Sequence, residues 1–492
     1  MPTTNRRDFV KGAVAGSLLS GAALPDVAAL TDGMQNAAHV EPRSKPNVVL
    51  YVSDQLRWDF VGASQLNPTC RTPNIDKIAQ RGACFTHALT NQPLCSPSRA
   101  CMMTGRYATE TGTWKLPPAG LHRDLPTLAS VLRDSGYTAN FIGKWHLAPS
   151  PKDDPKTLGF VHPEDRGGFL DFWEGANVLE LTSHPYQGTI WDGQGNPITF
   201  KDQYRVDFIT DRAERFLKKP QEKPFLLFIS QLEPHYQNDM DRPVAPHGYA
   251  ERYQNPYVPP DLVHLPGVWQ SQLPDYYGCV ESIDESVGRI VQTLEEQNLL
   301  DNTIFVFTSD HGCHFQTREN NYKRSPHDSS LRVPLLMRGP GVGSLQRFDQ
   351  LVGNINLTPS LIDLAGVPVP TSMKGRSVVP LMRDVKAQMD WKNQELVQIS
   401  QTSGVGIGRA IRTAEWTYCI SNPTSDPDAP SASSYSEYAM FNNFRDPEQL
   451  VNLAGRDRFK NQAAELREQL LDLIAESGET IPKIIPAQLW YP

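Results

Sequence analysis

The seven cysteines of this 492-residue chain, at positions 70, 84, 95, 101, 279, 313 and 419, include no CxxC pair. That absence argues against a zinc knuckle and a thioredoxin-like redox site. No stretch is long and apolar enough for the roughly 20-residue membrane helix, so no transmembrane segment is expected. Positive charge is in deficit: 47 Lys and Arg face 55 Asp and Glu, for a net charge of -8. A field of that sign repels polyanions, so nucleic acid is not an expected partner, and an anionic substrate would need a local basic pocket. Internal repeats are lacking, which removes solenoid and propeller readings. Glycine is less abundant than proline, 34 against 41, so loops should be rigid rather than linker-like. With 39% hydrophobic and 21% charged residues the chain is not disordered. Its length fits two or three domains, or one large α/β domain with an appendage.

The N-terminus reads as an address. Arg6-Arg7-Asp8-Phe9-Val10-Lys11 precedes an uncharged, weakly apolar run from Gly12 to Leu24, and small residues follow at Ala28-Ala29. This is the layout of a signal peptide, and the twin arginines with Phe9 and Lys11 resemble a Tat signal over residues 1–30. The mature protein is expected to begin between Ala23 and Val40 and to be exported, to the periplasm or beyond. An odd cysteine count there leaves at least one thiol unpaired; disulfides among the others stay open.

Short apolar runs alternate with amphipathic stretches. Strands are predicted at Asn47–Ser53, Tyr137–Ile142, Phe225–Ser230, Thr303–Ser309 and Val333–Met337. Helices are predicted at Pro73–Gly82, Leu125–Asp134 and Val206–Leu217, and along the stripe Val280, Ile283, Val287, Ile290, Val291 and Leu294. Such alternation predicts an α/β fold with a mostly parallel sheet flanked by helices.

Four of these strands run directly into reactive side chains: Asp54-Gln55, Lys144-Trp145-His146, Glu233-Pro234-His235 and Asp310-His311. Ligands of open α/β sheets bind outside the carboxyl ends of the strands, so four such endings together point to one active site. Asp54, Gln55, Asp310 and His311 make an oxygen-rich donor set suited to a hard cation, calcium or magnesium, with manganese or zinc conceivable through the imidazole. Asp59 reads as a surface charge. In Leu94-Cys95-Ser96-Pro97-Ser98-Arg99, Pro97 suits a first helical turn and Gly105 the helix end, which puts Cys95 at a helix N-terminus that lowers a thiol pKa. A tyrosine-phosphatase loop would need arginine six residues after the cysteine; position 101 is cysteine.

Cys95-x-Pro97-x-Arg99, extended by Thr104-Gly105-Arg106, resembles the signature of type I sulfatases, and Gly143-Lys144-Trp145-His146-Leu147 resembles that family's second signature. With the strand endings and Arg332-Val333-Pro334, the motifs occur in the family's order over nearly the whole mature chain. The resemblance implies an alkaline-phosphatase-like fold and hydrolysis of sulfate esters, of sulfated carbohydrates in an exported protein. It implies that Cys95 is oxidised to Cα-formylglycine by a formylglycine-generating or anaerobic sulfatase-maturating enzyme. It implies a metal, usually Ca2+, at Asp54, Gln55, Asp310 and His311 together with residue 95, with Mg2+ or Mn2+ as alternatives. Many members carry a second Asp where this chain has Gln55, which removes one negative charge. Arg99, Lys144, His146, His235 and Lys323 match the family's cationic and acid–base positions, Lys323 by its spacing to Arg332. The implied chemistry is attack on sulfur by a hydroxyl of the aldehyde hydrate, with His235 or Lys323 as acid and His146 as the base for sulfate release. Gln55 keeps a formylglycine-dependent phosphonate monoesterase or phosphodiesterase open as an alternative; a non-catalytic glycan-binding homologue is a third reading.

The segment 153–203 is rich in Gly, Pro and aromatics, including Phe169, Phe172, Trp173, His184, Tyr186 and Trp191, and reads as long loops. Its aromatics suit either sugar stacking at a pocket rim or packing onto the core. The catalytic α/β domain is expected over 45–384. Beyond it, a smaller C-terminal subdomain over 385–492 is expected, with short antiparallel strands near 396–400, 409–413 and 416–420, an exposed loop at 421–434 and a helix at 461–477.

Overall fold

The computed structural model describes residues 45–151, 154–402 and 405–488; the expected signal peptide lies outside them. Eleven strands form the large sheet: β1 (Asn47–Asp54), β2 (Gly82–Leu89), β3 (Thr138–Lys144), β4 (Phe172–Ala176), β5 (Ser183–His184), β6 (Gln187–Asp192), β7 (Pro197–Lys201), β8 (Phe225–Pro234), β9 (Thr303–Ser309), β10 (Leu335–Arg338) and β11 (Gln346–Gly353). Their order is β11-β2-β10-β9-β1-β8-β3-β4-β6-β5, with β7 pairing to β6. The central run β9-β1-β8-β3-β4 is parallel throughout, whereas β10 is antiparallel to both its neighbours.

Every residue of β1 is buried, as expected of a central parallel strand covered on both faces. Its side chains alternate: Val48, Leu50 and Val52 join one core, Val49 and Tyr51 the other. On the second face lie α1 (Pro73–Gln80) and, further along the chain, α5 (Arg205–Leu217) and the 28-residue α7 (Trp269–Glu296). The predicted α7 stripe packs there, with Val280, Ile283, Val287, Ile290 and Leu294 buried and Val291 half-buried. The first face is covered by α3 (Leu128–Asp134), through Leu128 and Leu132, and by α9 (Leu357–Leu364).

Over 154–203 the segment is not all loop: it holds a one-turn helix, Leu179–Thr182, and four short strands. These strands, β4–β7, extend the sheet. Trp173 on β4 is 2% exposed and stacked on Phe141, centroids 4.5 Å apart, and Phe169 is fully buried. The strands are only two to six residues long and interrupted by Gly and Pro, so their alternation is hard to read in sequence. Packing, rather than sugar stacking, accounts for Trp173 and Phe169.

A second sheet follows, β12 (Gln394–Thr402), β13 (Gly406–Thr413), β14 (Trp416–Asn422), β15 (Ser434–Asn442) and β16 (Lys483–Ile485), antiparallel except for the β15–β16 pair. The helix Lys460–Glu476 seals one of its faces through Leu466, Leu470 and Leu473. Both sheets belong to one compact unit spanning 44–492. All seven cysteines are free thiols, so the fold is not stapled by disulfides. Among the described residues no helix is long and apolar enough to cross a membrane.

Candidate active site

The four strands with reactive endings are adjacent in the sheet, β9-β1-β8-β3, and parallel, so their carboxyl ends share one edge. Two chain turns there adopt left-handed backbone at non-glycine residues, Gln55 (φ 70°) and His146 (φ 59°). Residues held so at strand ends mark sites where surroundings over-determine the backbone. Gly143 on β3 allows a close approach to β8: a Cβ there would fall 1.9 Å from the Ser230 carbonyl oxygen.

The nucleophile candidate comes from a helix. Cys95 is the first residue of α2 (Cys95–Thr104), which ends at Gly105 in left-handed backbone (φ 63°). α2 is buried along its whole length and points its N-terminus at the strand ends. Cys95 Sγ accepts from Lys323 Nζ at 2.8 Å and lies 3.3 Å from His311 Nε2 and 3.8 Å from Asp54 Oδ1. Burial alone would raise this thiol, but Lys144 and then Lys323 hold it well below its ordinary range. The other six cysteines have no such surroundings.

Asp54 is the hub. Its Oδ2 accepts from Lys144 Nζ at 2.7 Å and from Arg99 Nη2 at 3.2 Å. Arg99 Nε also donates to Asp310 Oδ2 at 3.1 Å, while Nη1 donates to the Lys144 carbonyl and to Ser230 Oγ. Burial and the neighbouring Cys95 oppose ionisation of Asp54, but Lys144, the strongest of its cationic neighbours, and Arg99 prevail and lower it. Asp310 moves the other way, raised by burial and by the ionised Asp54. Two carboxylates forced to face each other in a dry site are what a divalent cation would relieve.

The donor set fits a hard cation. Ligand atoms of Asp54, Cys95, Asp310 and His311 lie within 4.8 Å of one another, all buried. His311 Nδ1 donates to the Gly312 carbonyl at 2.9 Å, which leaves the Nε2 lone pair facing the carboxylates. Gln55 Oε1 is buried without a hydrogen-bond partner, an orphaned oxygen of the kind a hard cation takes up.

On the other side of Cys95, His235 Nδ1 donates to the Tyr236 carbonyl at 2.6 Å, so Nε2 accepts from Lys323 Nζ at 3.0 Å. Burial and then Lys323 push His235 below its ordinary range, so it stays neutral. Burial lowers Lys323, but Cys95 and Asp54 outweigh it and hold the ammonium. Lys323 and Cys95 thus carry complementary charges in direct contact.

The residues predicted for the site converge here: Asp54, Gln55, Cys95, Arg99, Lys144, His146, His235, Asp310, His311 and Lys323; Glu233, from the third strand ending, is paired instead with Arg205 at 2.7 Å. Sequence reading missed Glu180. It lies on a four-residue helix, α4 (Leu179–Thr182), inside the segment read as loops. Glu180 Oε1 accepts from Lys144 Nζ at 2.9 Å and is 3.7 Å from His146 Nδ1. Burial would raise it, yet Lys144 and His146 bring it down to about 2. Asp59 was misread: it is 5% exposed and paired with Arg57.

The sulfatase family model matches residues 46–367, and the model described as N-sulphoglucosamine sulphohydrolase, C-terminal, matches 319–476. The ulvan-active sulfatase of Formosa agariphila is 28% identical over 466 residues, covering 91% of this chain and 84% of that protein. The N-acetylglucosamine-6-O-sulfatase of Bacteroides thetaiotaomicron is 24% identical, covering 87% and 86%. Among solved structures, a protein of the Bacteroides thetaiotaomicron core locus for metabolism of multiple glycosaminoglycans superposes with a TM-score of 0.76 at 23% identity, covering 89% of this chain and 97% of that one.

Proposed function

The chain belongs to the sulfatase family and is a sulfuric ester hydrolase; from that premise we propose that it removes sulfate from sulfated carbohydrates, using an aldehyde residue made from Cys95 and a divalent cation. The observation that carries this reading is the setting of Cys95: a buried helix N-terminus with Lys323 Nζ at 2.8 Å and the Asp54–Asp310–His311 donor set on its other side. Relatives named as acting on ulvan and on N-acetylglucosamine 6-sulfate support the carbohydrate class. The twin-arginine start, Arg6-Arg7, supports export.

A sulfate ester is an anion and repels an anionic attacker. Arg99, Lys144 and Lys323 counter that repulsion by holding positive charge where the nonbridging oxygens sit. Asp54, Gln55, Asp310 and His311 would hold the cation, calcium being the ion best suited to such oxygens, and it supplies Lewis-acid polarisation when bound. Oxidation of Cys95 to formylglycine supplies, on hydration, a nucleophilic hydroxyl and a second ionisable one. Lys323 carries the proton for the departing alcohol, and neutral His235 orients it through Nε2. His146, whose Nδ1 has no hydrogen-bond partner, is the base for sulfate release.

The test begins with protein made alongside an active formylglycine-generating enzyme. Fragmentation of the tryptic peptide Gly82–Arg99 separates Cys84 from Cys95, and an aldehyde at 95 is expected. Released sulfate is then measured on sulfated sugars, with phosphate diesters in parallel. An unmodified thiol at 95, with a control sulfatase converted in the same cells, would remove the nucleophile. Faster turnover of phosphate diesters would reassign the substrate.

A further inference from the structure

Each cation contacting Asp54 is paired with carboxylates: Arg99 with Asp54 and Asp310, Lys144 with Asp54 and Glu180. Lys323 contacts Cys95 and His235. The next residue, Arg324, is different. Its backbone is left-handed (φ 73°), which turns the chain directly after Lys323. Its side chain is half-buried, and Nη1 donates to the Gln401 carbonyl at 2.7 Å. Nε is buried with no partner. Among the described residues no carboxylate lies within ion-pair distance of this guanidinium; Glu319 acts on it only at longer range. Its backbone N–H donates to the Pro93 carbonyl at 3.0 Å, two residues before Cys95, so the turn that carries Arg324 borders the same pocket, and the charges of Cys95 and Tyr236 act on its guanidinium. Tyr236 forms an aromatic wall there, stacked on His235 and on Tyr322, both at 4.4 Å.

A guanidinium taken out of water without a counter-ion is costly, and one carbonyl uses only one of its five donors. The planar fork matches a carboxylate or a sulfate. The net charge of -8 makes a local cation the more necessary for a polyanionic ligand. We propose that Arg324 binds a second oxyanion of the substrate, a carboxylate or a further sulfate, so that the enzyme selects sugars carrying another negative group near the scissile ester. This inference rests on the sulfatase reading above and names its substrate class.

The test uses the mature enzyme, Arg324→Gln and Arg324→Lys, with three probes: a monosulfated N-acetylhexosamine, a disulfated hexosamine and a monosulfated uronate–hexosamine disaccharide, each as a panel of positional isomers. The wild type is expected to prefer one of the doubly charged classes, and which one identifies the oxyanion. Arg324→Gln should cut that preference in kcat/KM by about 10- to 100-fold, mainly through KM, as loss of a charge-assisted contact does; Arg324→Lys should restore part of it. The proposal is overturned if the wild type has no such preference. It is equally overturned if Arg324→Gln lowers all three probes alike with a drop in Tm, which would make Arg324 a brace to Gln401. If the wild type cleaves no sulfate ester, the functional reading fails separately. Calorimetric titration of Cys95→Ala, with and without Arg324→Gln, against the same sugars then decides: a charge preference lost on substitution supports the subsite, and equal binding overturns it.

Discussion

Two buried charge clusters lie within a few residues of each other on the chain, and they are built on opposite principles. Arg57 donates through Nε, Nη1 and Nη2 to both carboxylates, Asp59 and Asp261, and to the Cys313 carbonyl, five contacts between 2.8 and 3.0 Å. That network is closed: the guanidinium has no idle nitrogen. Around Asp54 the network is open. Gln55 Oε1, His146 Nδ1 and Glu180 Oε2 are buried without partners, and Asp310 is pushed up by its ionised neighbour. A closed cluster needs nothing from outside, so its worth is structural. An open one keeps donors and acceptors for a ligand, and it carries a cost in the ligand-free fold.

The difference can be broken first at its extremes. Cys95→Ala removes the open cluster's nucleophile, and sulfate release should fall by at least about 10^4-fold, the range for losing a covalent catalyst. The variant should still fold, as circular dichroism would show, so that the loss reads as one of chemistry. Retained turnover with this variant would dismiss the open cluster as the reaction centre. The closed cluster should answer in the opposite way. Arg57→Met strands two buried carboxylates, and urea denaturation should report a loss of about 3–5 kcal/mol. A loss below about 1 kcal/mol would mean that water already reaches Asp59 and Asp261.

The two clusters also differ in how far sequence reveals them. Open-cluster residues sit at strand ends and within short motifs, where reactive side chains have no packing reason to be, so Asp54, Lys144, His235 and Asp310 stand out. Their shared edge followed from the parallel order of apolar strands. Arg57 and Asp59 carry no such signal: a charge pair two residues apart in a loop reads as surface, and only Asp261, 202 residues beyond Asp59 in the chain, makes it a core element. Glu180 escaped for a related reason. Its helix has four residues and no periodicity to detect, and its role depends on β3 carrying Lys144 to the same edge. The aromatics of 153–203 were ambiguous because burial against Phe141 is a long-range property that composition does not encode.

A third buried ion pair, between the two sheets, sharpens the comparison through pH. Asp328, on the short helix α8 (Asp328–Leu331), accepts from Arg412 Nε and Nη2 of β13, both at 2.9 Å. Burial opposes its ionisation, but Arg412 and Arg332 bring Asp328 down to about 2, from an ordinary 3.8. A carboxyl depressed in the folded state stabilises it above the unfolded pKa, and that stability is lost as pH falls through the folded one. Between pH 4 and 2 the protein should therefore lose about 2 kcal/mol from this group. Burial and the same two arginines push nearby His87 down to about 4, so the unfolded chain gains its proton first and adds a loss between about pH 6.5 and 4. Urea denaturation from pH 2 to 7 would separate the two windows. Asp328→Asn should flatten the lower one and, because the Asp328 charge also favours the His87 proton, deepen the upper one; an unchanged slope in the lower window would assign acid lability elsewhere.

The finest test asks to which principle Glu180 belongs. One oxygen is engaged by Lys144 and the other is idle, so it borders both kinds of network. Glu180→Gln keeps an oxygen for Lys144, and Asp54 still holds that ammonium at 2.7 Å, so the charge facing the sulfate changes little. His146, 3.7 Å from the carboxylate, loses the anion that supports it as a base. If His146 serves sulfate release, only the second half of the reaction slows. Both kcat and KM should then fall together by about tenfold, kcat/KM should stay within about twofold, and the alcohol should appear in a burst ahead of sulfate. A general loosening of the fold would not produce that pattern. A fall in kcat/KM with KM unchanged would instead mean that Glu180 acts through Lys144 on the first bond broken. No kinetic change at all, with a lower Tm, would move Glu180 into the closed class beside Arg57.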